Sequence, residues 1–324
     1  MTMETMTENG AQRYDVAVIG GGAAGLSAAV ALGRARRSVI VLDDGAPRNA
    51  PADGVHNYLT RDGMPPSELL AAGRKEAEQY GALIVRAEAT AARPAGAGFE
   101  VTTGDGETVL ARRLVVTTGL TDELPDVPGV RELWGRDVLH CPYCHGWEVA
   151  GRSIGVLASG PMAVHQTLLF RQWTDDLVLF THTAPPPTPE QAEQFAARDI
   201  RIVIGPVERL ETADGRLTGV RMQDGSYIAR DVVVAGPRMV ARSGLLRSLG
   251  LQPVPHPLGT EAGEFIESDR TGLTAVPGVW VAGNVTDLSA QVISAAAQGL
   301  TAGATLNWDL IAEETQRAVE AARG

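Results

Sequence analysis

The chain has 324 residues, enough for two domains with a core each, and its 44% apolar and 21% charged residues are ordinary for a globular protein. A formal net charge of −11 with no basic run excludes nucleic acid as a partner, because a phosphate backbone would be repelled. No run of about 18 apolar residues offers a membrane span, and residues 1–13 are polar and lack a signal peptide's apolar segment, so they read as the loose tail of a cytoplasmic protein.

Tyr14 to Ile19 (YDVAVI) is a Val-rich apolar run, the pattern of a buried parallel strand. It leads into Gly20-Gly21-Gly22-Ala23-Ala24-Gly25 and then an alanine-rich helical pattern from Leu26 to Arg34. In that order these pieces form a dinucleotide fingerprint. Gly20 permits the tight turn, Gly22 lets a pyrophosphate approach the backbone, and Gly25 lets helix and strand pack closely. A second apolar run, Ser38 to Leu42, ends in Asp43, 23 positions beyond Gly20, where a carboxylate accepts from an adenosine ribose hydroxyl.

Residues 45–66 are rich in Pro, Gly, Asn and Asp and read as loop. A helix follows over Pro66 to Tyr80, then a strand over Ala82 to Ala89. Phe99 to Thr103 and Thr108 to Leu110 flank Gly104-Asp105-Gly106 as a hairpin, and Leu114 to Thr118 is another buried strand closed by Gly119. Leu120 to Gly129 turns to Pro, Asp and Gly, a domain crossing. From Ser153 a second strand–turn–helix unit begins, with Ala158-Ser159-Gly160-Pro161-Met162-Ala163 in place of a glycine triplet. Ala158 replaces a glycine there and crowds the pyrophosphate turn. The next strand, Leu177 to Thr181, leads into His182-Thr183-Ala184, with no arginine for a 2′-phosphate and no acid for a 2′-hydroxyl. Asp231 to Ala235 closes this unit, Gly236 to Leu258 crosses back, and Val276 to Asn284 is a further strand before a small-residue helix starting at Ser289.

The only two cysteines stand in His140-Cys141-Pro142-Tyr143-Cys144-His145-Gly146-Trp147-Glu148. A Cys-x-x-Cys pair closes and reopens a small disulfide ring, and its thiol pKa is commonly pulled down. In a reducing compartment such a pair is catalytic or metal-binding rather than a staple. A c-type haem would share the Cys-x-x-Cys-His pattern but needs an exported protein. A zinc site of Cys141, Cys144, His140 and His145 would need neighbouring residues to point at one tetrahedron. Two inert core cysteines seldom have this spacing. Redox chemistry is the expectation, with no metal.

Over about residues 13–310 these features resemble the low-molecular-weight thioredoxin reductase family of flavoproteins. The resemblance rests on GGGAAG at Gly20 to Gly25, TTG at Thr117 to Gly119, CPYCHG at Cys141 to Gly146, AGN at Ala282 to Asn284 and AQV at Ala290 to Val292. It implies an α/β protein of two Rossmann-like domains, with an FAD domain split around an insert that carries the Cys-x-x-Cys. The expected parts are residues 1–120 (FAD, first part), 121–250 (nucleotide-binding-like insert) and 251–324 (FAD, second part). It implies a homodimer. It also implies FAD contacts from Gly20, Gly22, Ala23, Ala24, Gly25, Asp43, Asn57, Gly119, Gly283, Asn284, Ala290, Gln291 and Val292.

The chain departs from the usual pattern at Asn284, where the family has aspartate, at His145, where an acid follows the second cysteine, and in the insert's missing nucleotide features. CPYCHGWE is similar to the branch of dithiol oxidases that close disulfides in natural products of the gliotoxin, holomycin and romidepsin type, the bacterial holomycin-type members above all. The resemblance implies that a small-molecule dithiol is oxidised to an intramolecular disulfide, with O2 as acceptor and H2O2 as product, in natural-product biosynthesis and self-protection. Cys141 would face the substrate and Cys144 the flavin. The rival readings are an NADPH-dependent thioredoxin reductase, a reductase fed by ferredoxin or another flavoprotein, and a flavin-bound redox sensor. His145 has the intrinsic pKa of a general base, and Glu148, three residues on, would orient it on a helix. The loops at His56-Asn57-Tyr58, Tyr143 and Trp147 are the expected substrate pocket.

Overall fold

A computed structural model describes residues 13–160 and 162–323. Most of the expected tail and Pro161 of the degenerate glycine turn lie outside the described residues.

The first unit is a seven-stranded sheet. Its path runs Leu83–Arg86, Val39–Asp43, Arg13–Ile19, Thr108–Val116, Gly98–Thr103, Ala89–Ala95. The first four are parallel and the last three form an antiparallel meander. Val279–Val281, far along the chain, pairs parallel with the end of Thr108–Val116. Val-rich runs such as Val39–Asp43 are buried on both faces, Ile40 and Leu42 in a core with Leu245 and Ile266, and Val39 and Val41 beneath helices. One is Ala23–Arg34, which packs against the 32-residue helix Val292–Arg323; Gly299 lets the two backbones meet, since a Cβ there would lie 1.9 Å from the Ala24 carbonyl oxygen.

The second sheet is parallel throughout, in the order Arg201–Val203, Leu177–Phe180, Ile154–Leu157, Val232–Ala235, Val138–Leu139. An antiparallel sheet of Val207–Ala213, Arg216–Met222 and Tyr227–Ala229 leans on it through Leu210, Leu217 and Val220. The two chain crossings lie side by side: Leu120–Glu123 runs antiparallel to Arg238–Ala241, which also pairs with Gly263–Phe265. This is the mixed α/β architecture with Rossmann-like sheets that the sequence implied.

Local corrections follow from tertiary pairing. The expected strand Ala82 to Ala89 is two strands, because the chain leaves Val39–Asp43 after Arg86 and turns to pair with Gly98–Thr103. The runs at 108–110 and 114–118 are one strand, Thr108–Val116, held on opposite edges by different neighbours. Ala158, which stands where a glycine was expected, is buried at 3% exposure in a core that includes Val156 and Ala163.

Candidate active site

A cavity of about 870 Å³ runs from the glycine turn to the Cys-x-x-Cys segment. At the turn, Gly20 has φ +105°, and a Cβ there would stand 2.6 Å from the Thr117 carbonyl oxygen. Thr117 Oγ1 donates towards the Ile19 and Gly20 carbonyls, locking the turn to the neighbouring strand. A Cβ on Gly25 would come within 1.9 Å of the Gly20 oxygen, so the close approach of helix and strand requires glycine. Gly22 has nothing within 4 Å of its Cβ position and lines the cavity. It is also the N-cap of Ala23–Arg34, with no side chain satisfying the first turn's N–H groups. Asp43 accepts from the Gly21 N–H at 3.0 Å and from Arg74 Nη2 at 3.1 Å.

Across the cavity stand Gly119, Gly283 and Asn284, then Ala290, Gln291 and Val292 at the start of the long helix. Asn284 Nδ2 donates to the carbonyls of Asp287, Leu288 and Ala290 at 3.0, 3.4 and 3.0 Å. An ionised aspartate has no proton to give those three oxygens, which is a physical reason for the amide. These groups fit FAD. An open glycine turn with unsatisfied N–H donors and an acid at the end of the next strand face one elongated cavity, with a second helix start opposite.

Two residues expected at the cofactor do not line this cavity. Gly25 acts in packing. Asn57 is exposed at φ +59°, and its Nδ2 donates to the Tyr143 carbonyl at 2.5 Å. It joins the 45–66 loop to the redox segment because its own turn points the amide outward.

At the other end, strand Val138–Leu139 delivers the chain to Cys141, and Pro142–His145 forms one helical turn with proline at a first-turn position. Gly146 lets that turn close on Trp173, whose ring would be 2.7 Å from a Cβ. The Cys141 and Cys144 sulfurs are 2.6 Å apart, as a free dithiol. The Cys144 S–H donates to Cys141, and together with the backbone N–H groups of Cys144 and Tyr143 this outweighs burial and draws the Cys141 thiol down to about 7. Cys144, the donor, is pushed up by that same bond and by burial. The pair therefore loses its first proton near neutrality and holds the second tightly.

His145 lines the cavity with both ring nitrogens buried and without a hydrogen-bond partner, and burial holds it below the ordinary histidine range. Glu148 does not orient it. The helix ends at His145, so Glu148 falls in the following turn and its Oε1 lies 3.4 Å from His56 Nε2. His140 is buried, which lowers its pKa, and Gln166 Nε2 reaches its carbonyl and Nδ1 at 3.2 and 3.3 Å. Of the expected pocket residues, His56 and Tyr143 line the cavity; Tyr58 and Trp147 do not. Sequence reasoning missed Arg48, whose guanidinium forks Asp122 at 2.7 Å on both arms beside the cavity and lowers the pKa of both cysteines. Its one signal was a cation in a Pro/Gly loop beside a nucleotide fold. Among the described residues no group of three or more His, Cys, Asp or Glu is placed to hold a metal.

A split nucleotide fold that sets a dithiol at one end of an FAD-shaped cavity defines a flavin-dependent disulfide oxidoreductase. The chain belongs to the pyridine nucleotide-disulphide oxidoreductase family, which matches residues 14–299, and it is a thioredoxin reductase-like, FAD-dependent protein. It is 33% identical to the thioredoxin reductase tcpT of Claviceps purpurea, over 92% of this chain and 95% of that one. It is 31% identical to the thioredoxin reductase sirT of Leptosphaeria maculans, over 92% and 94%. The crystal structure of HlmI superposes with a TM-score of 0.89 at 46% identity, covering 99% of both chains.

Proposed function

We propose that the protein oxidises a small-molecule dithiol to an intramolecular disulfide and passes the electrons to O2, giving H2O2, in natural-product biosynthesis or self-protection. The observation that carries this is the run Thr181-His182-Thr183-Ala184 after Leu177–Phe180, which holds no arginine, while the one arginine of residues 121–250 that lines the cavity, Arg242, faces Asp44 of the first unit at 3.6 Å. A nicotinamide 2′-phosphate needs such a cation. The turn after Leu177–Phe180, where that cation would stand, is spent on fold contacts, with His182 Nδ1 accepting from the Val207 N–H at 3.1 Å. The likeness to HlmI over nearly the whole of both chains supports the same reading.

In the proposed cycle a substrate thiolate attacks Cys141 Sγ of the closed pair, which breaks the Cys141–Cys144 bond and frees Cys144 as thiolate. The second substrate thiol then gives its proton to Cys144 and attacks the substrate sulfur held on Cys141, so a cyclic disulfide leaves with Cys141 as thiolate and Cys144 as thiol. Bound FAD would supply the two-electron acceptor between the cysteine pair and oxygen. Reoxidation of the cysteines requires Cys144 to give up a proton it holds tightly, and His145, kept neutral by burial beside it, is the base. Overall, dithiol and O2 become disulfide and H2O2, with two electrons and two protons transferred. We also propose a homodimer, since the long final helix exposes Leu300, Trp308 and Ile311.

The test uses purified, FAD-loaded protein. Dithiothreitol with air should yield peroxide one for one with disulfide, and anaerobic NADPH should leave the flavin oxidised. Rapid flavin bleaching by NADPH, with no peroxide from dithiothreitol, would make the protein a reductase instead.

A further inference from the structure

Oxidising a dithiol releases two protons, and the base assigned to them is buried. Both His145 nitrogens are cut off from solvent and lack a partner. The charged group that acts most on its ring is Glu148, with His56 and Asp53 next among the ionisable side chains. Glu148 turns its carboxylate to His56, Oε1 to Nε2 at 3.4 Å. The other ring nitrogen, Nδ1, lies 3.6 Å from Asp62 Oδ2. Asp62 is fixed by the Asn57 N–H, which donates to its Oδ1 at 2.8 Å, and the Asn57 amide clamps this loop to the Tyr143 carbonyl. The His56 side chain is 21% exposed and lines the cavity, whereas Glu148 and Asp62 are 41% and 69% exposed. An imidazole that lines the cavity thus stands between two carboxylates that reach water. The carboxylates facing it are Asp62 from its own loop and Glu148 from the redox segment, and Asp53 bears on the His145 ring.

We propose that His56 is a proton-relay residue of the site, carrying protons from His145 by way of Glu148 to Asp62 and solvent. This rests on the dithiol-oxidation reading above. A thiol proton moves to the His145 ring and then to the Glu148 carboxylate. His56 takes it at Nε2 and releases its own from Nδ1 to Asp62 or water. Only N–H, O–H and S–H bonds form or break, and the electrons leave separately through the sulfurs. An imidazole suits this step because its two nitrogens accept and donate on opposite edges.

The experiment is anaerobic stopped-flow reduction of the flavin by dithiothreitol in the holoenzyme, which needs no oxygen. His56→Ala should slow it by roughly tenfold or more, a share of the ~10²–10⁴ that general acid–base help provides. Free imidazole added to the buffer should restore the rate in proportion to its concentration, which a purely structural loss would not allow. Glu148→Gln, at an exposed site, should slow the step too. In His56→Ala the pH dependence of Cys141 alkylation, read without turnover, should stay as in the wild type. His56→Gln serves if the alanine variant sheds FAD. A wild-type rate in the variants, or a slow rate that imidazole does not lift, overturns the relay. Wild-type flavin that dithiothreitol reduces without later peroxide overturns only the oxidase reading, and flavin it does not reduce overturns both.

Discussion

Asp137 stands immediately ahead of the strand that delivers Cys141, and its carboxylate is 1% exposed. It accepts from Arg216 Nε at 2.9 Å and Nη2 at 2.7 Å, and from the Leu217 N–H at 3.1 Å. Arg216 itself is 57% exposed, so the two halves of this ion pair are not equivalent. Arg216→Ala strands a buried carboxylate. Breaking a buried pair from that side costs about 3–5 kcal/mol, and the surviving Leu217 bond and Arg136, 3.8 Å away, put the expectation at the low end. Asp137→Ala leaves an arginine that swings into water and one buried N–H without its partner, a loss of about 1–3 kcal/mol. The double variant should therefore match Asp137→Ala alone and be more stable than Arg216→Ala. Guanidinium unfolding at one fixed FAD concentration measures all three. pH supplies a second arm. Burial raises the Asp137 carboxyl, but the Arg216 fork and the Leu217 N–H outweigh it and hold the folded value below the ordinary one. In the wild type this contribution is present above a carboxylate's usual pKa of about 3.9 and is lost as pH falls through the lower folded value. In Arg216→Ala only the Leu217 N–H and Arg136 still oppose burial, so the folded value rises and the variant's deficit should shrink as pH falls through the carboxylate range. Equal destabilisation by the two single variants, at every pH, would refute the reasoning.

His145→Gln should cut flavin reduction by dithiothreitol by about 10²-fold or more with FAD still bound, followed by the loss of flavin absorbance; a change within twofold removes the base. Cys144→Ala should move the alkylation midpoint of Cys141 up from about 7, because the Cys144 S–H is the largest influence holding it there. Gly25→Ala should yield protein without flavin, by absorbance, since its methyl would meet the Gly20 carbonyl.

Much of this was legible where chemistry forces a residue type locally. Gly20 and Gly25 stood out because no side chain fits against Thr117 and Gly20, and the Val-rich strands because two covered faces admit little else. The redox pair was visible as the only cysteines. What stayed hidden depends on partners far along the chain. Arg48 meets Asp122 across 74 positions, and His56 meets Glu148 only once the 45–66 loop is laid against the redox turn. Asn57 and Glu148 were misplaced for one reason: the turns they occupy aim their side chains at each other's segments rather than at the cofactor or His145. Asn284 stood in the sequence as a departure from the family's aspartate, yet its three carbonyl partners make it a donor that an ionised acid cannot replace.

The two polypeptide crossings do not behave as separate tethers. Four matched residue pairs, Leu120 with Ala241 through Glu123 with Arg238, weld them into one ribbon. Such a ribbon can coil about its own length but cannot slide, because sliding would break every rung at once. Any reorientation of the dithiol half is therefore confined to rotation about a single short axle. Arg48 grips that axle through Asp122, so the charge bearing on the sulfurs is bolted to the pivot.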